Sequence, residues 1–440
     1  MAKSKRKAVK TSQKESVLAP EIPTSVTSFR INLLALLIFL LGLYCLNAFL
    51  QGNFGLTYST AMTIKMCILM LFWAVPVIVF ELLYFKRLRN FDRSRLDIRR
   101  AIIKTFALYA TLTLIGLIYW VTPEYHGTFY RPYWEMLKLI GPVVLIGSLP
   151  YFYLTDGFME NQDDSYSLLG LRLLGVKRDG QNAVIWQHCL GWLVKLFFLP
   201  LMTVYMYNST RYFVGVNPAE VFNNFHLFYQ FAWELIFGID LVIVTIGYIL
   251  TLKLLDSHIR STEPTVGGWM SAIFCYEPFW SAISAAYLAY NKDNYSWGKW
   301  LSGNETGYFI WGIMILILIT IYSLSSVAFG IRFSNLTHRG IITNGPYRYS
   351  KHPAYISKNL SWWLIAIPFI VVNDDYLASL QACVMLLGVN AIYYMRAKTE
   401  ERHLGLDETY RQYQQAMEHH SLLGRLKRLI LPESGKPLNR

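Results

Sequence analysis

The chain has 440 residues, a formal net charge of +13 and only 16% charged residues against 54% hydrophobic ones. With a mean hydropathy of +0.31 this excludes an ordinary soluble protein. The five cysteines lie in or beside apolar segments with no CxxC or Cys/His cluster, which excludes a disulfide framework and leaves no metal site to expect.

The first thirty residues are Lys-rich, Ser/Pro-containing and expected to be a disordered basic tail (1–30). The apolar run 31–50 has no charge and no small-residue cleavage site, so it reads as a retained span. Further spans are expected near 62–84, 101–121, 134–154, 187–206, 228–252, 270–290, 308–330, 356–372 and 377–395. The fold class is therefore all-α: a polytopic integral membrane protein with about ten transmembrane helices. Loops on one side carry most of the Lys and Arg, whereas the other side holds only Arg131, Arg211, Lys292 and Lys299. That asymmetry predicts both termini on the cytoplasmic side. Basic charge beside anionic membrane lipid then accounts for the high pI without nucleic acid.

The division falls near Leu255. Residues 31–255 form an N-terminal transmembrane bundle without recognisable chemistry, and 256–440 form the chemistry-bearing part. In the bundle, Lys65, Lys104, Lys138 and Lys195 lie close enough to span ends for most to snorkel. The acidic cluster Asp156, Glu160, Asp163 and Asp164 is either a solvated loop or a patch for a cationic headgroup, a metal or the basic loop beyond. Asp240 and Glu277 lie within spans, where a carboxylate is costly and must face a cavity or the bundle interior. Glu277 is a substrate-channel candidate or a structural hydrogen-bonding group.

Segment 331–358 is the longest polar stretch of the second half. Asn344–Gly345–Pro346 signals a turn, and Pro353 ends any preceding helix and opens the next one. A hairpin over 356–395 turns at Asn373–Asp374–Asp375 and returns Arg396 and Glu400, one helical turn apart, to the same side. The loop offers flexible backbone (Gly340, Gly345), aromatic faces (Tyr347, Tyr349, Tyr355) and an imidazole (His352). Tyr349 is equally a membrane-interface belt residue. Glu400 and Glu401 offer acceptors for ribose hydroxyls or an ammonium group, and Arg396 a cation to orient an acidic acceptor.

GPYRYSKHPAY (345–355) resembles the GxYxxxRHPxY element of isoprenylcysteine carboxyl methyltransferases and related phospholipid methyltransferases. RAKTEER (396–402) is similar to their Arg-x-x-x-Glu-Glu tail, and YRQYQQ (410–415) to the Tyr-containing helix that follows. The resemblance covers roughly the last 130 residues. It implies an S-adenosyl-L-methionine (SAM) site lined by Arg339, Gly340, Ile341, Ile342, Tyr347, His352, Ala354 and Tyr355, closed by Glu400 or Glu401. It further implies Arg396 toward a substrate carboxylate and a lipid or lipid-modified, isoprenoid-like acceptor. Lys351 departs from the family's Arg, keeping the charge but losing the planar fork. The alternatives are an NADPH-dependent membrane reductase of the sterol-reductase type, or a non-catalytic membrane scaffold. Neither the acceptor nor the oligomeric state is named by the sequence.

Overall fold

The computed structural model describes residues 20–50, 52–86, 88–291, 296–422 and 424–426. Residues 1–19 of the expected basic tail and Lys292 of the opposite loops lie outside the described residues. The helices in chain order are α1 (Phe29–Phe49), α2 (Tyr58–Tyr84), α3 (Ile98–Val121), α4 (Arg131–Asp156), α5 (Ser165–Leu173), α6 (Gln181–Gly215) and α7 (Phe225–Ile249). After them come α8 (Val266–Ile273), α9 (Phe279–Ala286), α10 (Trp297–Trp300), α11 (Glu305–Phe329), α12 (Pro353–Ala366), α13 (Tyr376–Leu404) and α14 (Glu408–His420). Caps fall where short polar side chains precede the apolar runs. Asp97 accepts from the Arg99 amide at 2.8 Å, Asn224 from Leu227 at 3.0 Å and Asp375 from Ala378 at 2.9 Å.

Among the described residues eight helices are long and apolar enough to cross a membrane: α1, α2, α3, α4, α6, α7, α11 and α13. The protein is thus an all-α polytopic membrane protein. The two remaining expected spans take a different form. Segment 270–290 is divided between α8 and α9, because Pro278 interrupts the apolar run and becomes the N-cap of α9. Segment 356–372 holds only α12, whose 14 residues end at Ile367, in left-handed geometry just before Pro368. Fourteen residues reach about 21 Å, short of a hydrocarbon core of roughly 30 Å.

The main apolar core lies between α1, α2, α4, α6, α7 and α11, with Phe39, Met66, Trp73, Val242 and Val327 buried inside it. Two carboxylates of the acidic cluster pair with α3. Asp156 meets the Lys104 ammonium at 2.6 Å and the Arg100 guanidinium at 3.6 Å, and Asp164 meets Lys104 at 3.1 Å. Lys104 is therefore not a snorkelling cation: it is buried, and its carboxylates offset the cost of that burial.

Between α11 and α12 the chain leaves helical geometry, and three devices hold it. Thr337–His338 (β2) pairs antiparallel with Ser261–Thr262 (β1). Arg332, buried at the end of α11, pairs with Glu81 of α2 at 2.5 Å. Residues 20–28 lie along the loop: the Val26 amide donates to Ile341 O at 3.2 Å, the Thr343 hydroxyl to Pro23 O at 2.7 Å and the Asn344 amide nitrogen to Thr27 O at 2.6 Å. Gly340, at φ +107°, abuts Val26, and a Cβ there would come within 2.7 Å of the Val26 side chain.

Removing one partner of a buried pair leaves an uncompensated charge, at a cost of about 3–5 kcal/mol. Glu81→Gln and Arg332→Met should each lower the unfolding temperature in detergent clearly. The double variant should fall by less than the two losses added together. Additive losses in the same thermal assay would show that the two side chains act separately.

Candidate functional site

The loop supplies one wall of the site and the end of α13 supplies the other. Pro353 starts α12, so Ala354, Tyr355 and Lys358, one and four residues apart, share a face. On α13, Tyr393, Arg396 and Glu400 recur at helical spacing and face them across a cavity of about 980 Å³ including its open mouth. A second space of about 560 Å³ lies against Thr337 to Ile342, Tyr410 and Tyr413. The two share Ser334, Thr337, Tyr347, Lys351, His352 and Glu400 as a common border.

The two glutamates suggested by sequence do different work. Glu401 is held by two ammonium groups and an imidazole: Lys351 at 2.7 Å, Lys398 at 2.9 Å and His352 at 3.0 Å. It borders neither space and clamps the KHP turn onto α13. Glu400 accepts from the Tyr355 hydroxyl at 2.8 Å and borders both spaces. The Tyr355 ring in turn stacks on His352, with centroids 5.6 Å apart and planes within 9°.

Arg396 is buried, with its guanidinium 5.2 Å from the Tyr355 ring, 5.7 Å from Tyr276 and 6.0 Å from Tyr393. It donates to the Asn335 side-chain oxygen, and Asn335 donates onward to the Tyr276 hydroxyl at 3.1 Å. This fixes the fork by aromatic faces and one amide, leaving donors for a ligand in the cavity.

Other expected residues have different placements. Arg339 borders the smaller space, but its guanidinium is spent on carbonyls: Ser257 at 2.6 Å, Gly247 at 2.7 Å, Phe333 at 2.8 Å and Leu250 at 2.9 Å. Ile341 and Ile342 are buried, Ile341 in a cluster with Tyr410, Tyr413 and Met417. The Tyr413 hydroxyl donates to Tyr347 O at 2.6 Å, which ties α14 to the loop. Tyr349 points outward and is exposed. Glu277 is not on the cavity wall: it accepts from the Ser281 hydroxyl at 2.7 Å and from its amide at 3.2 Å, holding the first turn of α9, and its neighbour Tyr276 lines the cavity instead.

Sequence reasoning missed Glu263, Tyr276, Asn335, Thr337, His338 and Lys358, all of which border the spaces. Lys358 carried a signal, since a cation inside an expected span is costly unless it faces a cavity. Glu263 and Tyr276 come from segments brought to the site by the β1–β2 pairing and the α8·α13 packing, whereas Asn335, Thr337 and His338 lie in the polar segment itself. Two of them leave buried polar atoms without a hydrogen-bond partner among the described residues, Glu263 Oε2 and Thr337 Oγ1, while His338 Nε2 faces the Asp407 carboxylate at 3.5 Å. Burial pulls the His338 imidazole down to about 4, so it is neutral at pH 7. Such orphaned groups on a cavity border suit a polar ligand.

The separation of roles gives a test. Glu400→Gln should abolish or severely weaken binding of S-adenosylhomocysteine while leaving the unfolding temperature near wild type. Glu401→Gln should instead lower the unfolding temperature, because Lys351 and His352 lose their shared anchor. Calorimetry and thermal unfolding on both variants check this, and equal effects on both readouts would refute the division.

No curated protein and no solved structure matches the chain. Residues 305–405, from α11 to the end of α13, match the model of the isoprenylcysteine carboxyl methyltransferase (ICMT) family, and the match supports a membrane methyltransferase.

Proposed function

We propose that the protein is an integral-membrane, SAM-dependent methyltransferase that O-methylates a carboxylate on a lipid or lipid-modified, isoprenoid-like acceptor. The observation that carries this is the pair of adjoining spaces with a common border at Tyr347, His352 and Glu400. One is lined by the polar loop; the other runs toward Tyr322 and Tyr393 on the long helices α11 and α13 and Lys358 on the shorter α12. A soluble cofactor and an amphiphilic acceptor need such an arrangement, with reacting atoms meeting at the border.

SAM would be held by Glu400, Thr337, His338 and the backbone of Gly340 to Ile342, with Tyr347, His352, Ala354 and Tyr355 as the facing wall. When bound it would supply a methyl on a sulfonium, whose carbon–sulfur electron pair returns to sulfur as the acceptor's carboxylate oxygen forms the new O–CH3 bond. The chain's own part is positional. Arg396 orients the carboxylate, and its aromatic surroundings keep water away and the guanidinium in one geometry. A carboxylate is ionised at neutral pH, so no general base is required of the protein. The site lies on the cytoplasmic face in the positive-inside orientation, where SAM is available.

Titration of the full-length protein with SAM, S-adenosylhomocysteine and NADPH by calorimetry tests the assignment. Both adenosyl ligands should bind. NADPH binding without them would transfer the protein to the reductases, and binding of none would mark a scaffold. In a turnover assay with a farnesyl-thioether carboxylic acid, Arg396→Lys should lower kcat/KM by about 100-fold while S-adenosylhomocysteine affinity stays unchanged.

A further inference from the structure

Lys358 belongs to no motif that the resemblance carries, yet it borders the larger cavity on the same α12 face as Ala354 and Tyr355. Its ammonium lies over three rings, 5.0 Å from the Tyr322 centroid, 5.5 Å from Trp362 and 5.8 Å from Tyr393. Among the described residues it has neither a hydrogen-bond nor an ion-pair partner. The carboxylate that acts on it electrostatically is Asp240 of α7. That group is already engaged, accepting from the Tyr322 hydroxyl at 2.8 Å and from the Ser326 hydroxyl. Asp240 therefore steadies the cage and leaves the three N–H groups of Lys358 unspent.

Tyr393 lies between two cations, with Lys358 at 5.8 Å and the Arg396 guanidinium at 6.0 Å from its ring. Both border the same cavity. The carboxylates bordering it are Glu263, engaged by Thr265 and Arg402, and Glu400, engaged by Tyr355. Two cations on one aromatic wall repel a cationic or amine head and leave an acid as the group that satisfies both.

We infer that Lys358 and Arg396 form a two-cation seat for the acceptor's acid group, with Lys358 as the residue that selects an acidic amphiphile over its neutral or amine counterpart. This rests on the methyltransferase assignment above. Lys358 is a specificity residue here: it holds the carboxylate against Arg396 without taking part in bond making. The cage that sets it draws Asp240 from the N-terminal bundle, so that bundle contributes to acceptor choice.

The test uses full-length protein in nanodiscs, with farnesylthioacetic acid and its carboxamide as probes and S-adenosylhomocysteine as control. Wild type should prefer the acid by about tenfold or more, the worth of one charge-assisted contact. Lys358→Gln should remove the preference by weakening acid binding alone, with S-adenosylhomocysteine affinity and unfolding temperature unchanged; Lys358→Arg should retain it. The proposal is overturned by a wild type without the preference, by a Lys358→Gln variant that keeps it, or by acid and amide affinities falling together, which is the mark of a packing role. Should Lys358→Gln not fold, the wild-type preference and Lys358→Arg still decide. A preference that depends on Lys358 in a protein that fails to bind S-adenosylhomocysteine would uphold the acid seat while removing the methyltransferase assignment.

Discussion

The site depends on the buried Arg339 guanidinium. The end of α7 leaves carbonyls that no helical partner satisfies, and the chain from Leu250 to Ser257 adds more in irregular geometry. Arg339 donates to Gly247, Leu250, Ser257 and Phe333, so one side chain gathers the end of α7, the following loop and the end of α11. A cation at a helix C-terminus also meets the negative end of the helix dipole. Non-helical backbone beside membrane helices is tolerated only when its polar groups are paired inside the protein. Here that pairing frees the loop from Ser334 to His352 to be irregular, and irregularity is what lets it wrap a ligand.

The same constraint explains why the first half of the chain matters to chemistry placed in the second. Glu81 of α2 balances Arg332 where α11 ends. Just past the division near Leu255, Ser261 and Thr262 pair with the loop as a strand, and Glu263 continues from that strand to the cavity border. Residues 20–28 cover the loop from the other side, against Gly340 and Thr343. A methyl donor and an acceptor could be brought together by α11 to α13 alone, but the wall's charges and its irregular backbone would then lack their partners. Partners of Arg332 and of the loop backbone thus come in part from residues that precede Leu255.

Much of this was legible in the sequence, and the reasons are local. Long uncharged runs declare helices because each must satisfy its own backbone, which made α1 and α11 readable. Pro353 announced the start of α12, and the spacing of Arg396 and Glu400 placed both on one face of α13. Other features depend on contacts far apart in the chain. Glu400 and Glu401 are neighbours of identical type, and only the positions of Tyr355 and Lys351 separate a cavity group from a clamp. Glu277 had two readings, channel group or structural hydrogen-bonding group, and its contact with Ser281 fits the second. Lys358 was counted with the basic loop because it sits near a span end, whereas helical geometry carries it onto the cavity face with Tyr355.

The balance of charge along this wall also limits the chemistry. Lys351, His352 and Lys398 converge on Glu401 and so contribute a fixed turn more than a field in the cavity. What remains directed at the ligand spaces is Glu400 on the border and two cations, Arg396 and Lys358, deeper among aromatic rings. A carboxylate on the border suits a ligand carrying ammonium or hydroxyl groups, whereas cations among aromatic rings suit an anion. The two ends thus prefer opposite charges, and a cationic methyl donor and an acidic acceptor would each be drawn to its own end. Methylation would neutralise the acceptor, removing its attraction to Arg396 and Lys358 and favouring return of the ester to lipid. In the proposed reaction the placement of charge, more than any acid–base pair, would bring the two reactants together.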